Sequence, residues 1–571
     1  MPRRLIFWSL AAVAVLAAVW QACALRWTCD DAFISFRYAQ NFAEGHGLVF
    51  NLDPNEAAVE GYTNFSWTMW LAIGVMLVGG DVALELWSVV SGVVCHGGVV
   101  LLLASLAWRA SSGRALVPIA ACAYAAIHHA ASLAPAGLET ALFVLLATVL
   151  LRFALSLRCY RNAWLAGFVG VLIAMTRPDG AIFVAMTGLF VLFDAWRRRA
   201  PRLVVGYVVP FVLVFVPYLL WRHAYYGYWV PNTSFAKSAG VAYPELGWPY
   251  VRDFVLCYWA LLLALVLPVW FVVKKPDLLA NISSFLGRRP WLAMLLFTWP
   301  YLGFVVWVGG DFMFARFVLP VLPAVLLAFD VACQRWRPLW MQPVIAAALV
   351  VGLTLRVEPE LLKYELAYSD NRRISMGLVD IARTYGEYLQ KLFAGLDVRL
   401  GIAGAHANLA YRSRAPVAIE CATGLTDAYI AHLPITGRGK PGHERSYWLY
   451  PDYLVQRGVQ FMFELNFGKE IRDGVPVDVE PWRQIDFPVP GTPIPLPARL
   501  VTWDRKLMQE LRRRDPGIVV QDFEQFLDAY IAELPNKTKA QVAADFARFR
   551  PFYFDREGDP ARRQAFEAFL R

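Results

Sequence analysis

The chain has 571 residues, of which 58% are hydrophobic and only 17% charged, with a formal net charge of +9. Soluble domains carry about a quarter charged residues, and here apolar runs of bilayer-crossing length, about 17 to 25 residues, recur through the first 356 positions. The balance excludes a soluble globular enzyme, and it makes the basic excess a topology signal rather than a nucleic-acid footprint.

The first run, in MPRRLIFWSLAAVAVLAAVWQACAL, is longer than the apolar core of a signal peptide, so a retained anchor helix is expected. Arg3 and Arg4 keep its start in the cytoplasm, and Asp30 and Asp31 emerge on the outside. Further basic clusters mark cytoplasmic turns: Arg109 with Arg114, Arg158 with Arg161, Arg197 to Arg199 with Arg202, Lys274 and Lys275 with Arg288 and Arg289, and Arg335 with Arg337. Between neighbouring clusters lie two apolar stretches each. From Asp31 to Arg109 an odd number of crossings is required, yet two stretches occur, Phe65 to Val78 and Leu84 to Trp108. The first is short and Trp-rich, which predicts a helix lying at the outer face.

The remaining spans are expected near 115–134, 139–156, 163–177, 179–196, 203–222, 252–273, 291–308, 314–333 and 339–356. That gives about eleven crossings, with the N-terminus in the cytoplasm and the C-terminus outside. Residues 1–356 form the membrane part, with a first outer loop at about 26–84, and residues 357–571 form a soluble α/β domain on the outer face. Strand-like runs VRLGIAG and VQFMFEL and the helix-like PARRQAFEAFL support that class. The eight Cys form no CxxC pair, so neither a zinc site nor a disulfide framework is indicated.

Ionisable residues at membrane depth or helix ends are costly and therefore suspect. The outer face collects Asp30, Asp31, Glu60, Glu139, Arg177, Asp179, Lys237, Asp311 and Arg316, whereas the cytoplasmic turns carry basic residues without carboxylates. Asp30 and Asp31 suit a site in which one carboxylate takes a proton from a hydroxyl while its neighbour orients it or holds a metal. The plain alternative is a capping pair at the start of AFISFRYAQNFAEG. Cations at the outer boundary suit a lipid-linked phosphate, Arg through paired donors and Lys as a point charge, or else they snorkel to headgroups. His128 and His129 read as helix packing. His406 follows a strand in the soluble domain, where it serves either the site or its own loop. No Walker A, HExxH or GxSxG motif is present.

From DDAFISFRYAQNFAEGHGLVFN and EGYTNFSW onward, the chain resembles the GT-C superfamily of membrane glycosyltransferases. More narrowly, it resembles the terminal β-(1→2)-arabinofuranosyltransferase family and its bacterial relatives. The likeness continues through GLETALF, TRPDG, YYGYWVPNTSFAKSAG, GGDFMFARFVLPVLP, GLTDAYIAHLP and GKPGHE. Phe65-Ser66 stands where relatives commonly have Pro-Leu, and Ala136 where Ser is usual.

The resemblance implies a multi-pass enzyme of the bacterial inner (plasma) membrane. It would move a sugar, arabinofuranose by the narrower match, from a polyprenyl-phosphate donor to an extracytoplasmic glycan or glycoconjugate. Its catalytic base would be Asp30 or Asp31, and its donor-phosphate ligands Arg177, Lys237 and Arg316. Arg37, Glu60, Tyr62, Asn64, Glu139, Asp179, Asn232, Asp311 and His406 are the expected substrate-binding residues. A divalent metal ion is left open, and no nucleotide or nucleic acid is called for. The rivals are transfer of another lipid-linked sugar, of mannose or aminoarabinose type, and a non-catalytic lipid-glycan transporter.

Overall fold

The structure is a computed structural model. It describes residues 3–157, 159–263, 285–334, 340–357, 368–404, 406–435, 437, 439, 440, 442, 443, 451–464, 471, 472, 475, 476, 484–493, 495–502, 504–520, 523–555 and 559–571. Arg158, Lys274, Lys275, Arg335, Arg337 and the second half of the expected 252–273 span lie outside the described residues. The chain divides into two units. One comprises Met1–Leu48, Tyr62–Met376 and Gly437–Gly442, and the other Val49–Gly61, Gly377–Thr436 and His443–Arg571.

The first unit is helical. It opens with α1 (Arg3–Ala24), α2 (Ala32–Ala43), α3 (Phe65–Val78) and α4 (Asp81–Ala110). At 14 residues α3 is about 21 Å long and α4, at 30 residues, about 45 Å. Only the second exceeds the hydrocarbon thickness of about 30 Å. Next come α5 (Ile119–Ala125), α6 (His128–Leu133), α7 (Thr140–Leu155), α8 (Tyr160–Thr176), α9 (Gly180–Arg197), α10 (Arg202–Pro210), α11 (Val216–Tyr226), α12 (Asn232–Ala236) and α13 (Pro244–Cys257). Then follow α14 (Phe285–Val308), α15 (Leu322–Gln334) and α16 (Met341–Thr354). Among the described residues, five helical stretches are long and apolar enough to span: Arg3–Ala24, Asp81–Ala110, Gly180–Arg197, Arg202–Tyr226 and Trp291–Val308. The chain is a multi-pass membrane protein.

Two features depart from the pattern expected of uniform spans. The 115–134 stretch is broken into α5 and α6 at Ile127, whose backbone is extended (φ −80°, ψ 104°). A broken helix inside apolar surroundings needs a substitute for its lost backbone bonds. Tyr258 supplies it: its hydroxyl accepts from the His129 backbone N–H at 3.1 Å and lies 2.6 Å from Nδ1 of that imidazole. The second feature is the Arg202–Tyr226 stretch, which contains Pro210 and carries a π-helical turn at Phe211–Phe215 directly after it.

Small residues let the helices meet. A Cβ on Gly92 of α4 would come within 1.9 Å of the Ala134 carbonyl oxygen, so this crossing admits only glycine. At the other end of α9, Arg289 grips Asp194 with two bonds of 2.8 Å, both residues being buried. Arg289, one of the bases read as marking a turn, thus has a carboxylate partner. A buried guanidinium needs a counter-charge wherever it lies.

The second unit is a mixed α/β domain whose six-stranded sheet has the order β2-β1-β3-β7-β6-β8. Its strands are β1 (Arg399–Ala403), β2 (Val417–Glu420), β3 (Phe461–Glu464), β6 (Gln484–Phe487), β7 (Leu496–Leu500) and β8 (Val519–Val520), while β4 (Ile471–Arg472) and β5 (Val475–Pro476) pair separately. The parallel strands β2, β1 and β3 are near-continuous apolar runs, as strands covered on both faces must be. The antiparallel β6 and β7 instead alternate buried and half-buried positions. The segment Val49–Gly61 belongs to this unit. Leu52 donates its N–H to the Pro416 carbonyl at 2.8 Å, and Asn51 Oδ1 accepts from the Ala418 N–H at 2.9 Å. Asp53 receives Arg399 at 2.7 Å, and Arg457 reaches Glu56 and Asp427 at 2.6 Å each.

Asp194→Asn takes from buried Arg289 the carboxylate that holds it with two bonds, at a cost of about 3–5 kcal/mol. Thermal unfolding in detergent should fall accordingly, and Asp194→Leu with Arg289→Met should recover much of the loss. Equal melting of Asp194→Asn and the parent would contradict this role.

Candidate functional site

The site begins where α1 ends. Trp27 Nε1 donates to the Ser132 carbonyl at 2.8 Å, and the Cys29 N–H to the Ala136 carbonyl at 2.9 Å, which fixes the loop that carries Asp30 and Asp31. Gly137 shapes the opposing loop. Its φ is +82°, a Cβ there would lie 2.9 Å from that of Ala32, and its carbonyl accepts Trp67 Nε1 at 3.0 Å. Only glycine meets both demands.

Asp31 stands at the N-cap position of α2, yet its side chain makes no capping hydrogen bond. The capping alternative is therefore not what Asp31 does. Its carboxylate lies in the field of Lys237, Arg316, Asp311 and Lys440, and burial raises its pKa above the ordinary carboxylate range, with the three cations opposing that rise. Cys29, the neighbour beneath it, is buried, and burial also pushes its thiol up.

Beneath Asp31 the EGYTN, GLET, TRPDG and GGDFMFAR motifs converge on one buried charge network. Glu139 precedes α7, and its Oε1 accepts Arg316 Nη2 at 2.8 Å and lies 3.7 Å from Arg177 Nη1. Its Oε2 accepts Asn64 Nδ2 at 3.0 Å. Asn64 also exchanges bonds with the Ser35 hydroxyl of α2 and accepts Thr68 Oγ1 of α3 at 3.2 Å. Arg177 pairs with Asp179 through two bonds of 3.0 Å and stacks on Phe143 and Phe317 at 5.0 and 4.4 Å. Tyr301 donates to Asp179 at 2.6 Å. Arg316 completes the network through Asp311 at 3.3 Å and the Thr140 hydroxyl at 3.3 Å.

Other expected residues surround this network or leave it. Arg37 is buried on α2, and Asn232 is buried at the start of α12, whose end carries Lys237. The Tyr62 hydroxyl lies 3.2 Å from that of Tyr226, which donates to the Leu48 carbonyl at 2.9 Å. Glu60 and His406 belong to the second unit, and burial holds the His406 imidazole down to about 4, so it is neutral at pH 7. His129 packs among Tyr258 and Phe314, as its sequence position suggested. Sequence reasoning missed Ser35, Tyr301 and Lys440. The last lies inside GKPGHE, a block read only as a likeness.

Among the described residues, no group of three or more His, Cys, Asp or Glu side chains is arranged to hold a metal ion. What the arrangement offers is a half-buried carboxylate facing cations, beside a network in which both arginines already have carboxylate partners.

No family model matches the chain. Two curated proteins do, both named terminal β-(1→2)-arabinofuranosyltransferase. The protein from Mycobacterium tuberculosis is 30% identical over 352 residues, 56% of this chain and 54% of that one. The protein from Corynebacterium glutamicum is 29% identical over 374 residues, 60% of this chain and 53% of that one. The sequence resembles arabinofuranosyltransferases. The likeness read from the motifs is found in curated sequences, and the chain spans about half the length of the relatives it matches. Among solved structures, apo ArnT from Cupriavidus metallidurans gives a TM-score of 0.48 at 14% identity, over 80% of this chain and 92% of that one. ArnT bound to undecaprenyl phosphate gives 0.43 at 14% identity, over 78% of each chain. The archaeal oligosaccharyltransferase AglB from Archaeoglobus fulgidus, in complex with an inhibitory peptide and a dolichol-phosphate, gives 0.46 at 10% identity, over 79% of this chain and 69% of that one.

Asn64→Ala removes the bridge from Ser35 to Glu139 and leaves a buried carboxylate oxygen without its donor, at a cost of about 1–3 kcal/mol. Thermal unfolding should register the loss, and Asn64→Asp, which places a second anion against Glu139, should cost more. A neutral outcome for both would show that the bridge does not hold these elements.

Proposed function

We propose that the protein is a glycosyltransferase that moves arabinofuranose from a polyprenyl-phosphate donor to an extracytoplasmic glycan or glycoconjugate. The observation that carries this reading is Asp31, held at the mouth of α2 in the field of Lys237, Arg316 and Lys440 and not used as a cap. Similarity to terminal β-(1→2)-arabinofuranosyltransferases along 352 and 374 residues supports the choice of sugar.

In the proposed reaction the Asp31 carboxylate accepts the proton of an acceptor hydroxyl. That oxygen bonds to the anomeric carbon as the bond from this carbon to the lipid phosphate breaks. The electron pair leaves with the phosphate oxygen, whose growing charge the cations offset. Asp30, next in sequence, orients the acceptor. Glu139, Asp179 and Asp311 neutralise Arg177 and Arg316, so the scaffold is not itself an anion sink. Arg37, Tyr62 and Asn232 are assigned to the sugar and acceptor.

The reading includes about eleven crossings with a cytoplasmic N-terminus, and an extracytoplasmic C-terminal domain, in a bacterial inner membrane. The polar residues would then lie on the side where a lipid-linked sugar is consumed, and no nucleotide is needed.

The purified protein should transfer arabinofuranose from polyprenyl-phospho-arabinofuranose, and Asp31→Asn should lower the rate by at least about 100-fold. Full transfer by both Asp31→Asn and Asp30→Asn would overturn the assignment. The base acts only when ionised, and its pKa is raised, so the rate should fall on acidification at a pH above the usual carboxylate value of about 4. Lys237→Gln removes a cation that holds that pKa down, so it should move the acid limb further up in a pH profile of kcat/KM.

A further inference from the structure

The cations around Asp31 fall into two kinds. Arg177 and Arg316 are buried, carry carboxylate partners and are fixed by stacking or by further hydrogen bonds. Their charge is already spoken for. Lys237 and Lys440 are exposed, and among the described residues neither side chain has a hydrogen bond or an ion pair. Both nevertheless act on Asp31 electrostatically, and Lys440 also lies in the field of Asp311 and Cys29.

Lys440 comes from Gly437–Gly442, a short segment that lies within the first unit although it is far along the chain. Its Nζ sits 5.0 Å from the centre of the Phe312 ring, next to Asp311 in GGDFMFAR. The backbone of Gly442 lies along the Lys237 stem, and a Cβ there would come 3.4 Å from Cε and Cγ of that lysine. One turn before Lys237, Thr233 is buried, and among the described residues its hydroxyl oxygen has no hydrogen-bond partner. The two residues are four apart, so they share a helical face.

We propose that Lys440 is a ligand of the donor phosphate, forming with Lys237 and the Thr233 hydroxyl a receptor beside Asp31, while Arg177 and Arg316 hold the scaffold. The inference rests on the reading of the protein as a polyprenyl-phosphate-dependent transferase and assigns that site's phosphate ligands. Both lysines feel the Asp31 carboxylate, yet among the described residues neither makes a contact ion pair, so a phosphate between them gains charge-assisted bonds that no carboxylate already takes. The donor is a phosphodiester with one negative charge. When the bond to the sugar breaks, the departing polyprenyl phosphate gains a second. A receptor with two unpaired cations therefore favours the state in which the bond has broken, and it contributes to rate beyond its contribution to donor binding.

The full chain, purified in nanodiscs, is tested for binding of decaprenyl phosphate against uncharged decaprenol. The parent should prefer the phosphate, and Lys440→Gln and Lys237→Gln should each weaken phosphate binding by about 10- to 100-fold, the value of a charge-assisted bond. Lys440→Arg should restore most of it, and none of these variants should change decaprenol binding. In the transfer assay Lys440→Gln should lower kcat by a larger factor than it raises KM. If Lys440→Gln binds phosphate like the parent while Lys237→Gln does not, Lys440 is no ligand and the transferase reading stands. If the parent itself binds phosphate no better than the alcohol, the transferase reading fails and takes this inference with it.

Discussion

The site depends on one carboxylate. Glu139 is the shared acceptor of Arg316 and Asn64 and lies in salt-bridge range of Arg177. Through these three contacts it joins four stretches widely separated along the chain: the loop before α7, the entry to α3, the turn between α8 and α9, and the loop before α15. A carboxylate at membrane depth is tolerable only with such company. The arginines need it equally, so neither sign can be removed without stranding the other. This mutual requirement places the four loops against one another with the precision that a reaction centre needs.

Above this neutralised layer the chemistry changes character. Arg177 is buried, bonded twice to Asp179 and stacked on Phe143 and Phe317, and Arg316 is buried and bonded to Glu139 and Asp311, which suits both to rigidity more than to capture of a ligand. The lysines are exposed and carry flexible stems, and Asp31 is half-buried with a raised pKa. Charges fixed by carboxylate partners thus stand apart from lysines that make no ion pair among the described residues. The pairing also explains how so many ionisable groups can gather without imposing a large net field.

Much of this was legible in the sequence. The short apolar helix α3 was legible because helix length and hydropathy are written in local composition, but Met341–Thr354, expected as a span, is also only 14 residues long. Glu139, Arg177, Asp179, Asp311 and Arg316 were legible as members of a wider set of ionisable residues, since each is costly where it stands, while Asn64 was legible only as part of the polar EGYTN wall. Which of them pair was not, because pairing is set by tertiary approach. The break between α5 and α6 was hidden for the same reason: its backbone is compensated by Tyr258, over a hundred residues away. Glu60 stood beside Tyr62 in one motif, yet the two belong to different units, and nothing in a five-residue stretch reveals such a division. Ser35 and Tyr301 carry no charge and so gave no signal, while Lys440 was obscured by the polar composition around it.

The placement of Val49–Gly61 bears on how the protein is made. This piece leaves the ribosome early, but its partners Arg399, Ala418 and Arg457 are encoded more than three hundred residues later. Until they are translated it has no edge strand to join and no guanidinium to bind, and α2 and Tyr62, which flank it, are tethered to a loose span. Ordering of Val49–Gly61 is thereby coupled to completion of the polypeptide, and a nascent chain arrested after its membrane helices leaves this segment without its partners.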